Sequence, residues 1–157
     1  MYIFDGAMGT MLQAAGLEEG YCPELFNIER PEVVKDIHAQ YLQHGSDVIT
    51  TNTFGACGLK LEDYDLQDRV REINIAAVKV AKEAIAETKP TARVAGSMGP
   101  TGRFLQPLGN MSFDSIYDTY REQAEALIEG GVDFIIIETI IDVQEMRAAL
   151  LASLDAR

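Results

Sequence analysis

Two stretches of this 157-residue chain echo one another 86 residues apart: Gly45-Ser46-Asp47-Val48-Ile49 and Gly131-Val132-Asp133-Phe134-Ile135. In each, a glycine placed to end a helix is followed by an acidic residue and a β-rich apolar run, the signature of a helix-to-strand junction. One more junction falls between them, so strands recur about every 43 residues. Short apolar runs alternating with long stretches of helical period are the pattern of βα units around a parallel sheet. Four such units can be counted. An eight-unit barrel at this pace needs roughly 300 residues or more. The expected fold class is therefore α/β, of the (β/α)8 barrel family, with this chain covering about the first four units as a half-barrel.

The elements can be placed by their punctuation. Tyr2–Asp5 reads as the first strand, followed by a short helix at Met8–Ala15 and a connecting loop at Leu17–Asn27. Pro31 suits a first helical turn, Val33, Val34, Ile37 and Tyr41 fall at helical spacing, and Gly45 stands at the end. Asp47–Thr51 is the second strand. Gln67–Glu87 carries Val70, Ile73, Ala77, Val80, Ala81 and Ala84 on one helical stripe, and Pro90 closes it. Ala92–Ser97 is the third strand, and Phe113–Glu129 a helix with Ser112 or Asp114 as cap and Gly130-Gly131 as stop. Phe134–Ile137 is a continuous apolar run, as expected of a strand buried on both faces, with a further helix from about Asp142.

Composition excludes more than it suggests. A net charge of −12 repels a phosphate backbone, and no Lys/Arg cluster offsets it, so nucleic acid is not an expected partner. No apolar run approaches the ~20 residues of a membrane span, and Met1-Tyr2-Ile3-Phe4-Asp5 lacks the features of a signal peptide. A cytoplasmic location with no membrane partner is expected. Cys22 and Cys57 are widely spaced and outside any CxxC pattern, so two reduced thiols are expected and neither a disulfide framework nor a zinc site can be read from them.

In parallel α/β folds, ligands gather at the carboxyl ends of the strands, which makes the polar residues closing each run the informative ones: Asp5, Asn52, Ser97 and Glu138. Asp5-Gly6-Ala7-Met8-Gly9-Thr10 puts a carboxylate at a strand end and small residues beside a helix start. Two readings stand, a cradle of free N–H groups for an anion or a tight turn with an Asp cap. Glu138 follows four large apolar residues. Its carboxylate either receives a ligand ammonium or metal, or reaches solvent at the mouth and pairs with a neighbour. Thr50-Thr51-Asn52-Thr53-Phe54-Gly55 either hydrogen-bonds a small polar ligand or is a plain turn. The glycines at 96, 99 and 102 lack the lysine and spacing of nucleotide loops. His38 and His44, six apart, do not share a helix face as a metal pair would, and Cys57 reads as a small apolar filler.

Asp5-Gly6-Ala7-Met8-Gly9-Thr10, Gly45-Ser46-Asp47-Val48-Ile49-Thr50-Thr51-Asn52-Thr53-Phe54, Gly99-Pro100-Thr101-Gly102 and Ile137-Glu138-Thr139 together resemble the homocysteine S-methyltransferase family. The resemblance runs the length of the chain and is nearer the methionine synthase branch than the betaine-dependent one. It implies a (β/α)8 barrel in which zinc, held by three cysteines from later strands, activates homocysteine as a thiolate for methyl transfer, giving methionine. It further implies that Asp5 with the amides of Gly6 and Ala7 holds the amino acid end of homocysteine, that Glu138 receives its ammonium, and that Asn52 shapes the pocket. Residues 1–157 then form the N-terminal half of the homocysteine-binding domain. The missing half-barrel and the cobalamin and folate domains belong to the full-length parent, with zinc and methylcobalamin. Cys22 and Cys57 do not match the zinc positions, so no metal ligand, cofactor or activity is expected in this stretch alone. Betaine, S-methylmethionine or a corrinoid protein as donor remain alternatives, as does a non-catalytic half-barrel binding a small molecule or partner.

Overall fold

The computed structural model describes Met1–Ala156. Among those residues three parallel strands stand in the order β1 (Val48–Thr50), β2 (Arg93–Met98) and β3 (Phe134–Ile137). Val48 lies opposite Arg93, and Ala95 opposite Phe134. The helices are α1 (Gly9–Ala14), α2 (Phe26–Glu29), α3 (Pro31–Gln43), α4 (Gly58–Leu61), α5 (Val70–Thr88), α6 (Phe113–Gly130) and α7 (Val143–Asp155). The crossovers from β1 through α5 to β2 and from β2 through α6 to β3 are the expected parallel βα units.

The first expected strand is reduced to a single bridge, Phe4 to Val48. The Ile3 carbonyl accepts from the N–H groups of Asp47 and Val48 at 2.7 and 3.1 Å, and Asp5 N–H donates to Val48 O at 3.0 Å. The segment therefore has one neighbour and an open far side, which leaves Tyr2, Ile3 and Phe4 exposed. Phe4 still reaches Phe134 of β3 edge to face, ring centroids 6.0 Å apart, so the sheet curls enough to bring its first and last members together.

The stripe on α5 packs as its spacing requires: Val70, Ile73, Ala77, Val80, Ala81 and Ala84 are all buried. Small alanines let α3 and α6 approach closely on either side, and at about 0.8 kcal/mol per buried CH2 this face is a main source of cohesion. α6 starts at Ser112, whose Oγ accepts from Ser115 N–H, and stops at Gly131, whose φ of +87° is the left-handed cap that favours glycine. Asp142 caps α7 by accepting from Gln144 N–H.

Two further expectations differ from the structure. The 17–27 stretch is not all loop, because Pro23–Leu25 forms a 3-10 turn that runs straight into α2. Nor is β3 buried on both faces; all four of its residues are half-buried. A groove of about 390 Å³ opens beside it, lined by Ile128, Phe134, Ile135, Ile137, Leu150 and Leu154. The apolar run is present, but among the described residues no second layer covers it.

Candidate functional site

The carboxyl ends of the strands converge on a cleft of about 410 Å³, lined by the Gly6–Thr10 turn, Pro23, Glu24, Thr50–Asn52, Phe54, Ser97 and Glu138. A second hollow of about 350 Å³ joins Asp5, Gly6 and Ala7 to Glu138. Of the five residues proposed from sequence, Gly6, Ala7, Asn52 and Glu138 line the first and Asp5 the second.

The turn is held from behind. Tyr41 of α3 donates its hydroxyl proton to Ala7 O at 2.9 Å. A Cβ on Gly6 would stand 3.0 Å from the Tyr41 hydroxyl oxygen, so the close approach favours glycine. Among the described residues nothing accepts the N–H of Gly6 or Ala7, and both residues line the cleft.

Asp5 does not point freely into the cleft. Its Oδ2 accepts Thr50 N–H at 2.8 Å and its Oδ1 accepts the Thr50 hydroxyl at 3.0 Å, tying the turn to the end of β1. Burial pushes its carboxyl up from the usual 3.8 to about 6; the Thr50 bonds oppose the shift and the Glu138 charge adds to it. Glu138 leaves β3 with its N–H on Met98 O at 3.0 Å, and its Oε1 accepts the Ser97 hydroxyl at 2.5 Å. Thr139 follows at φ +62°, rare for a β-branched residue and a sharp exit from the strand.

Asn52 is buried and serves the wall: its amide donates to Pro23 O at 2.8 Å. Thr51 and Thr53, next along, turn inward, their hydroxyls 2.6 Å apart and bonded to Ser97 N–H and Ser97 O. Glu24 and the Glu145 network carry no signal in the sequence that marks them as part of the site. Glu145 Oε1 accepts from Thr101 N–H, Thr101 hydroxyl and Tyr120 hydroxyl at 2.7 to 3.0 Å. That carboxylate occupies the N–H a phosphate would need, so the 99–102 loop is not an anion cradle. Glu145 lies in the first turn of α7, a position where an acid is ordinary, so nothing local in the sequence set it apart.

The thiols are inert in this setting. Burial pushes Cys57 up to about 11, and burial with the neighbouring Glu24 pushes Cys22 up to about 12. His38 is buried and held down near 4 by desolvation, whereas His44 is exposed. Among the described residues no group of three or more His, Cys, Asp or Glu side chains could hold a metal ion. The donors present do not fit a thiolate-bound zinc.

Residues 2–156 match the family model described as Homocysteine S-methyltransferase. The chain belongs to the homocysteine S-methyltransferase family. This family member is 41% identical over 159 residues to the methionine synthase of Mycobacterium tuberculosis (strain ATCC 25618 / H37Rv), and 39% identical to that of Mycobacterium leprae (strain TN). Each alignment covers 95% of this chain and 13% of the relative, so the chain spans 13% of the length of the curated relatives it matches. Among solved structures it resembles the homocysteine methyltransferase MmuM from Escherichia coli. The oxidized form gives a TM-score of 0.82 at 26% identity, over 99% of this chain and 58% of that one. The metallated form gives 0.81 at 27%, over 99% and 59%. No helix among the described residues is long and apolar enough to cross a membrane.

Proposed function

We propose that residues 1–157 are the N-terminal half of a (β/α)8 homocysteine-binding domain, and that this half aligns homocysteine for methylation of its thiol to methionine in a cytoplasmic enzyme of the methionine synthase type. The observation that carries the reading is the pairing across one cleft of free donors on the Gly6–Ala7 turn with the carboxylates of Asp5 and Glu138. A zwitterionic amino acid presents the complementary groups. Its carboxylate meets the two N–H groups, its ammonium meets Glu138 and ionised Asp5, and Asn52 walls the side of the chain. The thiol is thereby directed away from the turn, toward the mouth where a donor can approach.

Zinc and methylcobalamin belong, in this reading, to parts of the enzyme outside this chain, and no step is assigned to them here. Betaine, S-methylmethionine or a corrinoid protein as donor would leave the same amino acid site in place. The test is methionine formation by the full-length enzyme from homocysteine with each donor in turn. Turnover with methylcobalamin and methyltetrahydrofolate supports the methionine synthase reading, turnover only with another donor reassigns the branch, and none with any donor refutes the methyltransferase reading.

A further inference from the structure

The loop that leaves β1 is fastened to the segment before α2 by a buried acid. Glu24 is 5% exposed, yet it lines the cleft. Its Oε1 accepts Gly55 N–H at 2.7 Å and its Oε2 accepts the Cys22 thiol at 3.3 Å. Among the described residues no lysine, arginine or histidine pairs with it. A carboxylate buried without a cation depends on its donors, so the Gly55 N–H and Glu24 hold each other in place. Three residues earlier the same loop is fastened again. The Asn52 amide donates to Pro23 O at 2.8 Å, and Asn52 O accepts from Asn27 Nδ2 at 2.8 Å.

Gly55 allows the approach, because a Cβ there would stand 2.8 Å from Glu24 Oε1. On its other side the loop braces the exit of β2: Phe54 O accepts Gly99 N–H at 3.0 Å, and the Phe54 ring leaves no room for a Cβ on Gly99. A shift at Gly55 therefore moves Asn52 and Phe54, two walls of the cleft opposite the Gly6–Thr10 turn.

We propose that Glu24 is a positioning residue of this cleft: it fixes the loop at residues 52–55 so that Asn52 and Phe54 form the wall against which homocysteine is aligned. The proposal rests on the homocysteine reading above for its ligand, though not for the clamp itself. Glu24 touches the loop and acts on the ligand through it.

The experiment compares Glu24→Ala, Glu24→Gln and Gly55→Ala in the full-length enzyme, reading KM for homocysteine, kcat and amide hydrogen exchange at position 55. Glu24→Ala and Gly55→Ala should raise KM several-fold to about ten-fold, the scale of a lost buried hydrogen bond. kcat should stay within about three-fold, because the reacting atoms are untouched. Exchange at position 55 should accelerate in step with KM. Glu24→Gln keeps an acceptor oxygen for the Gly55 N–H and should stay near the parent in both readouts. Should Glu24→Ala fail to fold, Gly55→Ala displaces the carboxylate without removing it and decides the question. Unchanged exchange in both variants overturns the clamp. Faster exchange with an unchanged KM overturns its role in alignment, and a Gln variant as impaired in KM as Ala with position 55 still protected overturns the positioning role, because the charge rather than the loop would then act on the ligand. If the parent itself neither binds nor methylates homocysteine, the ligand assignment falls, and the exchange result alone decides the clamp.

Discussion

Replacing Glu138 by Gln removes one charge and little else. Glu138 is half-buried, its Oε1 accepts the Ser97 hydroxyl at 2.5 Å, and its own N–H is fixed on Met98 O. A glutamine keeps an acceptor for Ser97 and the same backbone anchor, so the side chain should stay where it is. What disappears is the charge-assisted bond to a ligand ammonium, which typically contributes ~1.5–3 kcal/mol, or roughly ten- to a hundred-fold in affinity. One coupling has to be controlled. The Glu138 charge helps to raise the Asp5 carboxyl to about 6, so the variant should ionise Asp5 more readily. Working above pH 7 keeps Asp5 charged in both proteins and prevents this gain from masking the loss. Titration calorimetry of the full-length enzyme should show homocysteine weakened by that factor, while a mercapto acid lacking the amino group should lose far less. Equal binding of homocysteine by variant and parent, or equal damage to both ligands, would refute the assignment and leave Glu138 as a solvated carboxylate.

Other consequences follow from the same contacts. Because burial raises Asp5, its charged form is disfavoured in the fold; the stability it contributes is full below about pH 4 and is lost as pH rises through about 6, whereas ammonium binding gains over that interval. Homocysteine affinity should therefore climb between pH 5 and 7 in the parent and stay flat in Asp5→Asn, and an identical pH profile in the two would exclude Asp5 from the site. Glu145→Ala strips the acceptor from Thr101 N–H and from two hydroxyls in a buried network, and urea unfolding should show a loss of roughly 2–4 kcal/mol; a loss under about 0.5 kcal/mol would mean the network is replaced by water. Cys22 and Cys57, buried and pushed up to about 12 and 11, should react with a thiol reagent at pH 8 only after unfolding, and rapid labelling of the native protein would contradict their placement.

Much of this geometry was legible because the parallel sheet writes itself in runs and stops. The runs at 47–51, 92–97 and 134–137 announced β1, β2 and β3 to within a residue, and the α5 stripe named its buried face. The strand-end rule then brought Asp5, Asn52 and Glu138 to one side of the molecule before any contact was known. What the runs could not show depends on neighbours distant in sequence. Tyr2–Asp5 has strand composition, but a strand needs partners, and this one has a single bridge. Phe134–Ile137 is apolar enough for burial on both faces, though the described residues supply only one layer over it. Glu24 and Glu145 look in sequence like ordinary surface acids. Their burial arises where Gly55, 31 residues away from Glu24, and Thr101, 44 away from Glu145, present an N–H in the folded chain. Asp5 has its carboxylate taken up by Thr50, a pairing that no local pattern announces.

In the proposed function, the Gly6–Ala7 turn and Glu138 grip opposite ends of an amino acid. The most direct measurement is a crystal structure of the full-length homocysteine-binding domain with homocysteine bound. The ligand carboxylate should lie within hydrogen-bond distance of the Gly6 and Ala7 N–H groups, at roughly 2.7–3.2 Å, and the ammonium on Glu138. Homocysteine bound with its ammonium away from Glu138, or with its carboxylate on residues outside the turn, would contradict it.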